Sequence, residues 1–393
     1  MRGLAWSARA SRPASGAAKL FIGFIFATTA MAQSFHPGEV WPDDRGVPIN
    51  AHGGGILRDG GTYYWFGEHK IAGEAGNFAH VGVHVYSSTD LYHWTDRGIA
   101  LAVSTDPASE ITEGCVIERP KVIRNPGGRY VMWFHLELKG HGYRAARAGV
   151  AVSATPVGPY QYLGSFRPNA GVWPENVPED EKRALTPDEM RLVRESRFNG
   201  GSLPDDIGNE LFRRDFAGGQ MSRDMTLFVD DDGSAYQIYA SEENSTMQIS
   251  LLSGDYLRPA GRYIRVFPGG FNEAPAMFKY RGKYYLITSG THGWAPCDAR
   301  LGVADSIWGP WKALGNPCVG PPQQTRITFD SQSTFVLPVA GGFIFMADRW
   351  RPKNAIDGRY VWLPIVLSGE HPSIAWRDQW DLSVFNSGSA RTP

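Results

Sequence analysis

The hydrophobic pattern of the chain is one of short, aromatic-rich runs that follow turns built on glycine, which is typical of β-strands. Five segments share this form: GGTYYWFGE, GGRYVMWFHLE, DGSAYQIYASEE, RGKYYLITSG and GGFIFMADRW. Their marker glycines are Gly61, Gly128, Gly233, Gly282 and Gly342. Because the same form returns in the same order across most of the chain, it indicates an internal repeat.

A second recurrent element lies between the markers, in SSTDLYHWTDRG, SATPVGPYQYLG, LLSGDYLRPAG and VADSIWGPWKAL. Each reads as a strand end, a turn and the start of a further strand. A repeat of this size has room for four strands, which is what one propeller blade needs. The sequence therefore predicts an all-β fold, a five-bladed β-propeller. A β-sandwich with accidentally similar hairpins is the alternative, and the constant order of the markers argues against it.

The longest interval between markers contains an insertion at about residues 164–222, rich in Pro, Glu and Asp. Within it, TPDEMRLVRES predicts a short surface helix, with Thr186 as N-cap, Pro187 at the first helical position and Glu189 completing a capping box. The insertion is either a surface excursion or a wall beside an active site, because a long loop by itself carries no chemistry.

The first 32 residues have the form of a signal peptide. Basic residues precede the apolar run LFIGFIFATTAM, and Ala30-Met31-Ala32 has the small-x-small form of a cleavage site. We expect a mature chain from Gln33, with residues 33–393 forming a single propeller domain that is secreted or periplasmic. A retained N-terminal anchor is the alternative.

Composition limits the partners. The 393 residues carry 39 Lys+Arg and 40 Asp+Glu, so the chain shows neither a nucleic-acid nor a membrane-surface footprint. No CxxC, HExxH, phosphate-binding loop or clustered His/Cys set occurs, so we expect no metal and no cofactor. We also expect a monomer. Cys297 and Cys318 flank one apparent loop and could pair, which would leave Cys115 over.

The stretch INAHGGGILRDG, residues 49–60, looks at first like an esterase oxyanion hole, but the chain has no G-x-S-x-G nucleophile motif. Its glycines are better explained by a close approach of the first inner strand to the channel and to a substrate bound there. The available chemistry is therefore in carboxylates. Glu118, Asp224 and Glu273 each stand where an inner strand begins, so three blades could bring them together.

Two of these segments, SRDMTLFVDDDG and NEAPAMFKYRGKYYL, resemble motif blocks of glycoside hydrolase family 43, five-bladed propeller enzymes that hydrolyse with inversion. The resemblance covers most of the mature chain apart from the insertion. More narrowly, AHGGGILRDGGTYYWFGE, ERPKV and FDSQSTFV are similar to the exo-β-1,3-galactanase branch.

By this resemblance, Glu273 is the general acid and Asp224 the carboxylate that orients it and raises its pKa by like-charge repulsion. The structural alternatives are a strand-end cap or an arginine pair for Glu273, and an ion pair with Arg223 for Asp224. Most of the family has a catalytic Asp on the first blade, whereas residues 49–57 here contain no carboxylate.

The resemblance instead assigns the nucleophilic water to Glu118 and Gln332 together. Glu118 is the better proton acceptor, because an ordinary amide can hold a water but is not a strong base. A salt bridge with Arg119 is the alternative for Glu118, and a buried strand amide for Gln332.

The resemblance further implies that Glu68, Tyr143 and Thr291 contact sugar hydroxyls, and that Trp294 and Trp350 stack on sugar rings. Either tryptophan could equally be structural, because blades pack many aromatics between them. His52 is included because its place in the first blade puts it near the channel, whereas His69 and His292 have no partner at ligand spacing.

The implied function is that of an exported, inverting exo-glycosidase that removes terminal β-1,3-linked galactose from galactan or arabinogalactan side chains. Two alternatives remain open. The same fold and mechanism could serve an α-L-arabinofuranosidase, β-xylosidase or β-galactofuranosidase, and a propeller without the first-blade base could be a non-catalytic carbohydrate-binding protein.

Overall fold

A computed structural model describes residues 33–195, 210–357 and 359–386. The predicted signal peptide lies outside these residues. Twenty-one strands follow one another along the described chain, and the first three sheets comprise β1 (His52–Asp59), β2 (Thr62–His69), β3 (Gly82–Ser88) and β4 (Thr95–Ala102); β5 (Val116–Arg124), β6 (Tyr130–Glu137), β7 (Arg147–Ser153) and β8 (Gln161–Phe166); and β9 (Met225–Val229), β10 (Ala235–Ser241), β11 (Thr246–Leu252) and β12 (Pro259–Val266).

The remaining two sheets comprise β13 (Glu273–Tyr280), β14 (Lys283–Ser289), β15 (Ala299–Ala304) and β16 (Lys312–Gly315); and β17 (Cys318–Val319), β18 (Gln332–Val339), β19 (Gly342–Arg349), β20 (Arg359–Val366) and β21 (Ser373–Ala375). Helices are few and short: α1 (Pro187–Glu195), α2 (Leu211–Arg214) and α3 (Pro322–Thr325), with 3₁₀ turns at Glu74–Asn77, Gly142–Arg144, Glu179–Glu181 and Leu382–Phe385.

The sheets are the five blades of a β-propeller, as the sequence predicts. Each blade is an antiparallel meander, and the inner strands β1, β5, β9, β13 and β18 lie next to one another in a closed ring. The five marker segments are the second strands of the blades. In the fifth blade, β17 joins the outer edge parallel to β21. The ends of the described chain meet where Phe35 and Trp380 exchange backbone hydrogen bonds of 2.7 and 3.2 Å.

The apolar runs are almost continuous because the middle strands are buried on both faces. On β6, Val131 and Trp133 pack against the third blade, whereas Met132 and Phe134 pack against the first. Buried clusters of this kind fill all five gaps between neighbouring blades. Alternate side chains therefore serve two different interfaces, and this is why the strands do not show a polar face.

A shared irregularity at the start of the inner strands positions the site. The pairing register shifts near the beginning of β1, β5, β13 and β18. In three of these strands the bulge contains a left-handed residue, namely Gly53 (φ 60°), Arg119 (φ 56°) and Ala274 (φ 55°). The residues immediately before them are His52, Glu118 and Glu273, so equivalent bulges present these three side chains at the same end of the ring.

The glycine run after His52 is explained by contacts inside the protein. A Cβ added to Gly53 would lie 2.2 Å from a carboxylate oxygen of Glu68, and one added to Gly54 would lie 2.2 Å from the carbonyl oxygen of Phe66. The nearest atoms to Gly53 and Gly54 thus belong to the second strand of the same blade, and those nearest Gly55 to Lys121 of the second blade, whereas the sequence predicts an approach to the channel and its substrate.

The insertion packs on the third blade. Its helix α1 has the predicted capping box: the Glu189 N–H donates to Thr186 Oγ1 at 3.3 Å, and the Thr186 N–H donates to Glu189 Oε2 at 2.7 Å. Asn176 exchanges two hydrogen bonds with the backbone of Arg265 on β12. The three cysteines are free and buried, so Cys297 and Cys318 do not form a disulfide in this structure.

Candidate active site

The inner-strand residues singled out from the sequence meet around one buried side chain, that of Arg119. Its guanidinium group donates to Gln332 Oε1 at 2.6 Å and to the carbonyl oxygen of Ser333 at 2.9 Å, and it pairs with Asp224 Oδ2 at 2.9 Å. Its backbone N–H donates to Glu68 Oε1 at 2.9 Å. Arg119 therefore connects the first, second, third and fifth blades at the mouth of the channel.

The Asp224 carboxylate is held in position by this pair. Its Oδ2 also accepts a hydrogen bond of 3.1 Å from the backbone N–H of Ala274, the left-handed residue after Glu273. The sequence neighbour Arg223 contacts Glu243 instead, at 3.0 Å. Asp224 therefore does form an ion pair, but with Arg119 and not with Arg223. This pair keeps the Asp224 carboxylate next to Glu273.

Glu273 has the environment of a carboxyl group that keeps its proton. Burial, reinforced by repulsion from Asp224, raises the pKa of Glu273 to about 8. Its Oε1 accepts a 3.0 Å hydrogen bond from Gln332 Nε2, and its Oε2 accepts a 3.3 Å hydrogen bond from Asn244 Nδ2. Both hydrogen-bond partners of Glu273 are side-chain amides. Its side chain therefore neither pairs with an arginine nor caps a strand end.

Glu118 has the opposite character. Burial alone would raise its pKa, but the hydrogen bond and charge of His135 outweigh burial and lower the pKa of Glu118 to about 2. His135 Nδ1 lies 3.1 Å from Glu118 Oε2, and Glu118 in turn raises the pKa of His135 against the effect of burial. The partner of Glu118 is therefore His135, and the contact favours the ionised carboxyl group and the protonated imidazole.

Gln332 uses its whole side-chain amide for protein contacts. Its Nε2 donates to Glu273 Oε1 and to Ser289 Oγ, each at 3.0 Å. Its Oε1 accepts from Arg119 and, at 3.0 Å, from Trp350 Nε1. An amide offers two donor hydrogens and two acceptor lone pairs, so this one is fully occupied.

The residues predicted to contact sugar are divided between buried and accessible positions. Glu68 is buried, and its Oε2 lies 2.5 Å from Lys70 Nζ. Tyr143 is exposed, with the Arg223 guanidinium 4.7 Å from its ring centre. Thr291 lies at intermediate depth after β14.

His52, Trp294 and Trp350 line one cavity of about 130 Å³ together with Lys70. The His52 ring stacks on Trp350 with 5.1 Å between ring centres, and Trp294 meets Trp350 edge-on at 5.4 Å. Burial and the charge of Lys70 lower the pKa of His52 to about 3, so this imidazole is neutral. One face of Trp350 is therefore covered by His52, whereas Trp294 is about two-fifths exposed.

Glu118, His135 and Asp224 form the one described group of His and acidic residues with metal-ligand spacing, with ligand atoms within 4.8 Å of one another. Each already has a protein partner, because Asp224 pairs with Arg119 and Glu118 with His135. A cation at this position would have to compete with the Arg119 guanidinium.

His135 and Asn244 are not predicted from the sequence as site residues, and neither is the central role of Arg119. His135 lies opposite Glu118 in the strand pairing of β5 and β6. The register of the GGRYVMWFHLE marker could have found it, because cross-strand partners face the same side of a sheet. Asn244 lies in a turn that no motif in the sequence marks.

Replacing Arg119 is expected to destabilise the fold strongly. Arg119→Met leaves the largely buried Asp224 without its ion pair, and loss of one partner of a buried pair costs about 3–5 kcal/mol. Arg124→Met on the same strand is the matched control, because Arg124 is half exposed and pairs with Asp59 at 3.4 Å, a pair worth about 0–1 kcal/mol. Urea denaturation measures both free energies of unfolding, and equal losses would contradict the central position of Arg119.

Neither protein-family profiles nor curated proteins match the sequence. Solved structures do. A GH43 β-1,3-galactosidase solved with galactodeoxynojirimycin is 52% identical, with a TM-score of 0.83, and the match covers 88% of this chain and 100% of that one.

Two exo-β-1,3-galactanases are also similar. The enzyme from Phanerochaete chrysosporium, solved with β-1,3-galactotriose, is 33% identical over 91% of this chain and 70% of that one, with a TM-score of 0.71. The enzyme from Clostridium thermocellum is 33% identical over 88% of this chain and 66% of that one, with a TM-score of 0.70. With this identity and coverage, the chain belongs to glycoside hydrolase family 43.

Proposed function

We propose that this protein is an inverting exo-glycosidase that releases the terminal β-1,3-linked galactose of a galactan or arabinogalactan side chain. The observation that carries the proposal is the opposite charge state of two carboxyl groups at one end of the channel. The pKa of Glu273 is raised to about 8, so it keeps its proton at neutral pH. The pKa of Glu118 is lowered to about 2, so it is ionised there. An acid and a base are thus available together at neutral pH.

Glu273 acts as the general acid that protonates the departing glycosidic oxygen. A group with this task must be protonated at the working pH, which an ordinary glutamic acid is not. Asp224 assists by repelling charge on Glu273, and its pair with Arg119 and its hydrogen bond from Ala274 hold it beside that residue.

Glu118 accepts the proton of the attacking water. His135 occupies Oε2 of Glu118, and among the described residues none donates a hydrogen bond to its Oε1. This oxygen is therefore available to a water. Gln332 contributes by orienting the Glu273 carboxyl group through its Nε2. Its amide is fully used in contacts with Glu273, Ser289, Arg119 and Trp350. This assignment places the acid and the base on different residues, as inversion requires.

Galactose is the sugar that the similar solved structures favour, because their names describe β-1,3-galactosidases and exo-β-1,3-galactanases. We propose that Glu68, Tyr143 and Thr291 bind hydroxyl groups of the terminal sugar and that Trp294 offers an accessible face for stacking. His52 and Trp350 stack on each other and line the same cavity as Trp294. The substrate partner is an oligosaccharide or polysaccharide, and the chain acts as a monomer without a cofactor.

We also propose that the protein is exported after cleavage behind Ala32. The described residues contain no helix long and apolar enough to cross a membrane. Hydrolysis of a polymer outside the cytoplasm would make such export useful.

Proton NMR of the methyl β-glycoside of β-1,3-galactobiose during hydrolysis tests sugar, linkage and stereochemistry at once, because the blocked reducing end leaves the released terminal residue as the only free galactose. We expect free galactose to appear first as the α-anomer, because attack by water from the opposite face inverts the β-linkage. The β-anomer appearing first would contradict inversion. Release of arabinose or xylose from aryl glycosides, with none of galactose from the disaccharide, would instead assign another sugar, and binding without release would indicate a non-catalytic propeller.

Paired glutamine substitutions separate the acid from the base. Glu273→Gln should lower kcat on galactobiose by about 100-fold or more, but should spare a 2,4-dinitrophenyl β-galactoside, whose phenolate leaves without protonation. Glu118→Gln should slow both substrates, because both need an activated water. A fully active Glu273→Gln enzyme, or an identical substrate pattern for the two variants, would contradict the assignment.

A further inference from the structure

The insertion between β8 and β9 reaches the general acid through a turn of the third blade. This inference rests on the proposed role of Glu273. The turn joins β10 to β11 and consists of Glu242, Glu243 and Asn244, whose φ angles are 52°, 58° and 65°. Three consecutive left-handed residues that carry a Cβ are unfavourable, so the surrounding contacts must hold this conformation.

Glu242 anchors the first position of the turn. Its carboxylate is fully buried and accepts two hydrogen bonds from Arg265, at 2.8 and 2.7 Å, and one each from Gln248 and Thr246, both at 3.0 Å. The Arg265 guanidinium lies 4.5 Å from the ring centre of Phe212, a buried residue of α2. The insertion therefore packs against the arginine that holds Glu242.

Glu243 connects the second position of the turn directly to the insertion. Its Oε1 accepts a 3.0 Å hydrogen bond from Arg214, the last residue of α2. Its Oε2 accepts a 3.0 Å hydrogen bond from Arg223, whose guanidinium lies 4.7 Å from the Tyr143 ring centre. One carboxylate thus joins α2 of the insertion to the residue preceding Asp224.

Arg214 is itself fixed in direction. Its Nε and one terminal nitrogen donate to the two carboxylate oxygens of Asp215, each at 2.8 Å. This bidentate geometry leaves the other terminal nitrogen aimed at Glu243. Asp215 is buried, so this bidentate contact lies inside the protein.

Asn244 completes the connection at the third position. Its Nδ2 donates to Glu273 Oε2, the oxygen that Gln332 does not contact. With Gln332 on one oxygen and Asn244 on the other, the Glu273 carboxyl group has one orientation. Release of the turn would remove one of these two contacts and leave the other in place.

We propose that Arg214 of the insertion is a positioning residue for the reaction, which acts through Glu243 to keep the left-handed turn closed and the Asn244 amide on the Glu273 carboxyl group. The insertion is in this respect part of the catalytic apparatus, although none of its described residues contacts Glu273. The effect of losing Arg214 should fall on protonation of the leaving group.

The test compares two substrates that differ in their need for that proton. In Arg214→Met, kcat on β-1,3-galactobiose should fall about 10-fold, part of the contribution of a general acid, while kcat on the 2,4-dinitrophenyl β-galactoside stays near the wild-type value. Glu243→Gln, which keeps the side-chain shape but loses the charge, should give the same pattern. Arg214→Lys, which can still pair with Glu243, should recover most of the disaccharide activity.

Arg191→Met is the matched control, because Arg191 lies on the insertion helix α1 in an exposed pair with Asp188 and contacts neither the turn nor the channel. It should leave both rates unchanged. Folded Arg214→Met and Glu243→Gln proteins, checked by near-ultraviolet circular dichroism, that lose both activities equally or lose neither would overturn the proposal. A wild-type protein that cleaves neither substrate would refute the proposed function instead.

Discussion

The pairing of Arg119 with Asp224 inside the channel is the interaction on which the site depends. A carboxylate at this depth is stable only when its charge is compensated, and Arg119 supplies that charge at 2.9 Å. The charge of Asp224 repels a second charge on the nearby Glu273, whose burial already disfavours ionisation. The same guanidinium group holds Gln332, which in turn holds Glu273. One cation therefore holds both the carboxylate that repels charge on Glu273 and the amide that orients it, although its own positive charge lowers the pKa of Glu273.

The propeller makes this arrangement possible because its inner strands begin at one end of a common channel. Each blade contributes one or two residues, and equivalent bulges present His52, Glu118 and Glu273 in the same way. The aliphatic and aromatic clusters between blades fix the angular position of each strand. Catalytic precision thus comes from packing far from the channel, while the mouth itself can be almost entirely polar.

Much of the architecture is predictable from the sequence because the strands repeat. Four of the five marker glycines fall just before the second strands and the fifth, Gly342, begins one, and the strands that carry Glu118 and Glu273 are inner strands, as expected. The partners of the acids are less predictable, since they depend on contacts between blades. Arg119 is named in the sequence only as a neighbour of Glu118, yet it pairs with Asp224, and Arg223 beside Asp224 pairs with Glu243. Adjacency in sequence is a poor guide here because Arg119 lies in a bulge with a left-handed φ, and Arg223 and Asp224 precede β9, so neighbouring side chains diverge.

The pH dependence of kcat/KM for β-1,3-galactobiose, measured for the wild type and for Asp224→Asn, tests the central claim most directly. In the proposed mechanism Glu273 must be protonated, so activity should persist up to its raised pKa of about 8 and then fall about tenfold per pH unit. Removing the charge of residue 224 should move this upper limb to lower pH, because the repulsion that raises the pKa of Glu273 is lost. An upper limb near the ordinary pKa of a glutamic acid, or one that does not move in Asp224→Asn, would contradict the account.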